Sequence, residues 1–391
     1  MVMKNKTDST ARHPFHSICS YLGCFPPGVA RRLIERWCPQ RSTILDPFCG
    51  SGTTLLGARL RGHRAIGVDL NPLGTAISAG KIQDVMCEDV LARIAELARG
   101  FSPGDDDNIP EGLRIIFHPR TLAQLSYLRF ALERGRPEDT FILAAVLGIM
   151  HGKFRQDGTS AYLSIDMPNT FSMSPEYVRG FVKEHNLKQL PTDVFKKLRD
   201  RALWLFRDGP VPNRARAMVI EGDATRLPAL LRAAGVRSVG AIITSPPYLG
   251  VLRYGAFNWI RLWMLNKQPA QVDRMLDGTD SLDRYLGFMA SFLDAAAEVL
   301  PVGAPVVLVI GDVAENGQDI ELAKRVWEEL SGVVPYDLER IDVDNFDISA
   351  KTTRIWGEQK KGRATPVDRY LVLRRAARTM RRASVPFWGA V

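Results

Sequence analysis

Two short apolar runs, joined by a glycine-rich turn and one helix, most narrowly constrain what this chain can fold into. Arg41-Ser42-Thr43-Ile44-Leu45-Asp46 reads as a buried strand, and Arg64-Ala65-Ile66-Gly67-Val68-Asp69 reads as a second, stopped by Asn71-Pro72. A turn through Gly50 and Gly52 and a helix from Thr53 to Arg61 lie between them. Parallel strands need such a crossover, and strands this uniformly apolar need cover on both faces, so the segment predicts a βαβ unit.

The same alternation resumes far downstream. Ala217 to Asp223, Val239 to Thr244, Pro305 to Ile310, Arg340 to Phe346 and Arg369 to Leu373 read as five further strands. Leu282 to Leu300 and Asp319 to Leu330 read as helices between them. The expectation is an α/β fold: a doubly wound, mostly parallel, seven-stranded sheet.

The stretch from about 85 to 216 breaks the pattern. Helical periodicity runs through Leu91 to Ala98, Thr121 to Glu133, Thr140 to Met150 and Val194 to Phe206. Another helix is opened by Ser174-Pro175-Glu176, an N-cap followed by proline at the first helical position. The chain therefore divides into three segments. Residues 1–84 carry the first part of the sheet. Residues 85–216 form a mostly helical insertion between strands two and three, a candidate for target recognition. Residues 217–391 supply the remaining strands and a basic tail with Arg374, Arg375, Arg378, Arg381 and Arg382.

Charge bears on the partner. The 391 residues include 52 lysines and arginines against 43 acidic residues, a net charge of +9. That excess favours a polyanion through phosphate contacts and counterion release. The five cysteines form no CxxC pair and no zinc-ligand spacing, so no metal is expected. The start of the chain has no apolar signal region, and no apolar run is long enough to cross a bilayer, so a cytoplasmic location without membrane contact is expected.

Two strings carry chemistry. Asp46-Pro47-Phe48-Cys49-Gly50-Ser51-Gly52-Thr53 leaves a strand and opens a helix, where glycines let backbone approach a ligand closely. It is neither GxGxxG nor a Walker loop. Asp69, ending the second strand beside Asn71, stands where a carboxylate accepts ribose hydroxyls in nucleotide-binding βαβ units. Thr244-Ser245-Pro246-Pro247-Tyr248 ends the fourth strand, its two prolines stiffening the loop between a hydroxyl and an aromatic face.

Taken together, the two strings resemble the amino-methyltransferase family of DNA methylases, which modify N4 of cytosine or N6 of adenine. The resemblance implies the class I methyltransferase sheet and S-adenosylmethionine as cofactor. It assigns cofactor binding to Asp46, Pro47, Phe48, Gly50, Gly52, Thr53, Asp69, Asn71 and Asp223, with Asp223 near the adenine, and catalysis to Ser245, Pro246, Pro247 and Tyr248. Phe25-Pro26-Pro27 resembles the segment leading into the cofactor site. DNA is the implied partner, and a role in restriction-modification follows from the same likeness.

The loop suits that chemistry. An exocyclic base amine is a poor nucleophile because its lone pair is conjugated with the ring. Proline offers only a carbonyl acceptor, and Ser245 adds a hydroxyl oxygen, so both can take the amine's protons. Tyr248 can stack on a base extruded from the duplex. Serine ahead of Pro-Pro-Tyr resembles the cytosine-N4 group, where it is common, and so implies cytosine N4. Adenine N6, guanine N2 of RNA, and a degenerate, non-catalytic nucleic-acid-binding partner are the alternatives. Cytosine C5 chemistry is excluded, since it needs a cysteine after the fourth strand and none follows Cys87. Weaker candidates for nucleic-acid contact are His151-Gly152-Lys153-Phe154-Arg155, which reads equally as a solvated turn, and Lys360-Lys361-Gly362-Arg363. Tyr254, Trp259 and Trp263 are candidates for the base pocket or for core.

Overall fold

The computed structural model describes residues 13–377 apart from Phe25, 105–108, 154–159, 168–170, 213–214, Tyr248, 250–252, 277–280, 316–317 and 346–363. The sheet is built from β1 (Thr43–Asp46), β2 (Arg64–Asp69), β3 (Ala217–Glu221), β4 (Ala241–Thr244), β5 (Pro305–Glu315), β7 (Tyr336–Asn345) and β8 (Ala364–Arg375). Its order is β3-β2-β1-β4-β5-β8-β7. The first five run parallel, and β8 is antiparallel to both β5 and β7. This is the doubly wound, mostly parallel, seven-stranded sheet anticipated from the sequence. One short strand is added: β6 (Gln318–Ile320) folds back on the end of β5 as a hairpin. The helix expected from Asp319 therefore begins later, as α15 (Leu322–Leu330).

The central strands are buried because both of their faces are apolar. Ile44 and Leu45 of β1 and Ile242 and Ile243 of β4 have no exposed surface. On one face they meet α1 (Pro27–Trp37) and α2 (Thr53–Leu60), through Val29, Leu33, Ile34, Leu55 and Ala58. On the other they meet α14 (Leu282–Val299) and α15, through Met289, Phe292, Leu293 and Val326. Removing apolar side chains of this size from water stabilises by about 1.5–3 kcal/mol each, which is what fixes the strand register.

Strand order reverses between β1 and β4, the topological switch point beyond whose carboxyl ends open α/β sheets bind ligands. Both strings singled out above leave the sheet there. The helix α3 (Pro72–Lys81) follows β2, with Asn71 as its N-cap and Pro72 in its first turn.

Residues 85–216 form α4 (Cys87–Gly100), α5 (Glu111–Ile116), α6 (Pro119–Ala131), α7 (Pro137–Ile149), α8 (Pro175–Glu184) and α9 (Val194–Leu205). α5 lacks a full amphipathic repeat and was not anticipated. Arg93 of α4 and Asp139 of α7 form a buried two-pronged pair, Nε to Oδ1 and a terminal nitrogen to Oδ2, each 2.8 Å. The core of this region is not self-contained. It takes in Phe15 and Ile18 near the start of the chain, and Trp259, Ile260 and Trp263 of α12 (Trp259–Met264), which follows β4.

Two sequence readings are corrected here. Arg374 and Arg375 are not part of a tail: both lie in β8, where Arg374 pairs with Glu339 of β7 and Arg375 donates to the Ala297 carbonyl. His151 does not lie in a solvated turn. It is fully buried, 3.5 Å from the Ser172 hydroxyl. Lys360, Lys361, Gly362, Arg363, Phe154, Arg155, Arg378, Arg381 and Arg382 lie outside the described residues.

Candidate active site

The glycine turn owes its shape to residues without side chains. Gly50 and Gly52 have φ of +46° and +74°, the left-handed region that costs other residues free energy. A Cβ on Gly52 would stand 2.9 Å from Ser78 Cβ of α3, so the turn packs directly on that helix. Gly52 is also the N-cap of α2, and Thr53 its first residue, so free N–H groups of the helix start face the turn. Phe48 points the other way and packs on Phe288 and Phe292 of α14, with ring centroids 5.6 and 4.9 Å away.

Asp69 holds this turn against the end of β2. Its Oδ2 accepts the Gly50 N–H at 2.6 Å and its Oδ1 accepts the Asn71 N–H at 2.8 Å. Each carboxylate oxygen has a further acceptor direction, enough for two vicinal hydroxyls. Burial pushes the Asp69 carboxyl up to about 6, against the lowering effect of those backbone donors. Asn71 is committed locally: Oδ1 caps α3 at the Leu73 N–H, 3.0 Å away, and Nδ2 donates to the Tyr21 hydroxyl at 2.9 Å. Asp223 lies beyond β3, partly exposed, accepting the Thr225 N–H at 2.8 Å.

Asp46 faces inward. It is 2 % exposed, and its Oδ1 accepts from the Thr244 hydroxyl at 2.6 Å and from the Phe48 N–H at 3.3 Å. Burial raises its carboxyl to about 6, with the Thr244 hydrogen bond as the largest opposing influence. Asp46 thus joins the turn after β1 to the loop after β4.

In that second loop Ser245 is half-buried and donates its hydroxyl hydrogen to the Val309 carbonyl of β5 at 3.0 Å. With its one hydrogen so used, the oxygen is left to accept. Pro246 is buried and Pro247 exposed, and Tyr248 lies outside the described residues, as does Phe25. Of the aromatic residues beyond the loop, Trp259 and Trp263 are core, and Tyr254 stacks on Tyr21 at 5.8 Å.

The residues fit S-adenosylmethionine by their chemistry. A carboxylate with spare acceptors suits a ribose diol, and a side-chain-free turn at a helix start admits close approach. Sequence reasoning missed Tyr21 and Lys81. Tyr21 lies against the turn, its ring 3.2 Å from where a Gly50 Cβ would be. Lys81 has no exposed surface and donates to the Ser51 hydroxyl at 3.3 Å. Lys81 was visible only as a cation in the last turn of a small-residue helix, which reads as dipole compensation. Tyr21 had no signal.

Residues 3–76, which include the glycine turn and Asp69, match a family model described as DNA methylase. The chain is similar to the DNA methylases. Over 134 residues, 32% of this chain, it is 28% identical to the Type II methyltransferase M.MjaII of Methanocaldococcus jannaschii. Over 59 residues, 15% of this chain, it is 39% identical to the Type II methyltransferase M.ScaI of Streptomyces caespitosus. The matched segments cover 25% and 19% of those relatives. Among solved structures, the rRNA methyltransferase aviRa from Streptomyces viridochromogenes aligns over 95% of this chain and 94% of its own, with 14% identity and a TM-score of 0.37.

Proposed function

We propose that the protein is an S-adenosylmethionine-dependent DNA methyltransferase acting on an exocyclic base amine, with N4 of cytosine as the target. The observation that carries this reading is the bond between Asp46 and Thr244. It fastens the glycine turn and the Ser245-Pro246-Pro247 loop side by side at the switch point of the sheet, where a methyl donor and an acceptor must meet. The Type II methyltransferase relatives support DNA as the substrate.

Bound there, the cofactor supplies a methyl group on a sulfonium, an electrophile that needs no metal to activate it. The chain's own part is to bind and to orient. Asp69 takes the ribose hydroxyls, and the turn through Gly50 and Gly52 admits the cofactor closely. Ser245 Oγ, its hydrogen held by the Val309 carbonyl, accepts a hydrogen bond from one N–H of the target amine, and the Pro246 carbonyl accepts one from the other. Hydrogen bonds of this kind favour the pyramidal, nucleophilic nitrogen. Alignment of amine and methyl accounts for the remaining acceleration. Serine at the head of the triplet favours cytosine N4 over adenine N6.

The test is transfer of labelled methyl from the cofactor to duplex DNA, with RNA in parallel, followed by nucleoside analysis. N4-methylcytosine is expected. Label in N6-methyladenine would overturn the choice of base, label in RNA alone the choice of substrate, and no transfer the activity itself.

A further inference from the structure

Lys81 is a cation in an unusual place. It lies in the last turn of α3, has no exposed surface, and among the described residues has no carboxylate within ion-pair distance. Burying a charge without a counter-charge is costly. Burial lowers its ammonium to about 8, which still leaves it protonated at neutral pH.

Its hydrogen-bond partner is Ser51, between the two glycines of the turn: Nζ donates to Oγ at 3.3 Å. An ammonium only donates, so Ser51 must accept, and its own hydrogen is then aimed elsewhere. Ser51 Oγ also lies 2.9 Å from Sγ of Cys24, an exposed, free thiol. A buried positive charge thus polarises a hydroxyl of the turn that is itself 4 % exposed and neighbours an exposed residue. A positive charge and a hydroxyl with its hydrogen still to place suit an anion. The cofactor of the proposed reaction has one, the carboxylate of its amino-acid portion.

We propose that Lys81 is a positioning residue for the anionic end of the cofactor, holding the Ser51 hydroxyl as a polarised donor that receives its carboxylate. This rests on S-adenosylmethionine being the methyl donor. It gives Ser51 a role distinct from that of Asp69, which faces the ribose.

The test is calorimetric binding of S-adenosylmethionine and of its decarboxylated analogue, which keeps the sulfonium, ribose and adenine. The full-length parent, Lys81→Met and Ser51→Ala are compared. Lys81→Met should weaken S-adenosylmethionine by about tenfold or more, the range of one charge-assisted hydrogen bond, while the analogue binds within about twofold of the parent. Ser51→Ala should discriminate in the same direction and serves if the lysine variant does not fold. Equal loss for both ligands would make Lys81 merely structural and overturn the proposal, as would no loss for either. A parent protein that binds neither ligand would instead refute the cofactor assignment.

Discussion

The Thr244 hydroxyl at the end of β4 and Asp46 Oδ1 at the end of β1 lie 2.6 Å apart, a single bond between the two loops that the proposed reaction must bring together. Asp46 is almost wholly buried, and the Thr244 hydroxyl is its shortest donor. Thr244→Val removes the shorter of the two donors to this oxygen at nearly constant volume, leaves the Phe48 N–H at 3.3 Å, and should cost about 1–3 kcal/mol, the range of a lost hydrogen bond to a buried carboxylate. Thr244→Ser should restore most of it. Urea denaturation of the three proteins checks this, and a valine variant as stable as the parent would mean that the bond does not hold the loops.

Asp69 should make cofactor affinity sensitive to mild acid. Its carboxyl is raised to about 6, so it is ionised, and an acceptor on both oxygens, only above that value. Affinity should fall as pH drops through about 6, where an ordinary aspartate would hold it to about 4. Unfolding does not mimic this. A carboxyl raised in the folded state stabilises the fold below its unfolded value and loses that contribution as pH rises through about 6. Asp69→Ala should weaken binding by about 1.5–3 kcal/mol, tenfold to a hundredfold, above pH 6, and the gap to the parent should narrow as pH falls below it. Calorimetry from pH 5 to 8 that gives a flat profile for the parent would refute the assignment.

Ser245→Ala deletes the acceptor held by Val309. Because the hydroxyl is proposed to contact the amine rather than the cofactor, turnover should fall more than the affinity for either substrate. Single-turnover methyl transfer beside cofactor titration separates the two. Parent-like transfer would reduce the loop to a strand terminator.

Lys81→Met should stabilise the fold at neutral pH. The lysine is lowered to about 8, so the folded state resists a proton that the unfolded chain keeps up to about 10.5. The contribution of the lysine to stability is full above the unfolded value and is lost as pH falls through about 8. At pH 7 the lost contribution is on the order of 3 kcal/mol, reduced in the comparison by the bond to Ser51. The advantage of the variant should therefore shrink between pH 8 and 10.5. Melting curves with a constant difference across that range would contradict it.

Gly52→Ala tests the turn itself. A side chain at φ +74° costs about 1–2 kcal/mol, and the added carbon would meet Ser78 Cβ at 2.9 Å. Loss of stability together with loss of cofactor affinity is expected in thermal melts with and without ligand. A ligand-dependent shift equal to that of the parent would show that the turn tolerates the change.

Much of the sheet was readable from local pattern. Apolar runs such as Ile44-Leu45 and Ala241-Ile242-Ile243 can be satisfied only by burial on both faces, and the glycines after β1 have no other common use. The hairpin strand β6 was missed because three polar and apolar residues carry no period, and it forms only because β5 overruns the sheet. α5 is too short to show a repeat.

What the sequence determined by itself is the chemistry of each loop: glycine where the backbone turns left-handed, an acid ending β2, acceptors in the loop after β4. Those follow from residue type and from neighbours a few positions away. Which loops face each other was decided by the tertiary structure, because Asp46 and Thr244 are 198 residues apart and meet only through strand order. The same holds for the core shared by residues 85–216 with Trp259 and Trp263, and for Lys81, whose charge became a feature of the glycine turn only once α3 had packed against Gly52.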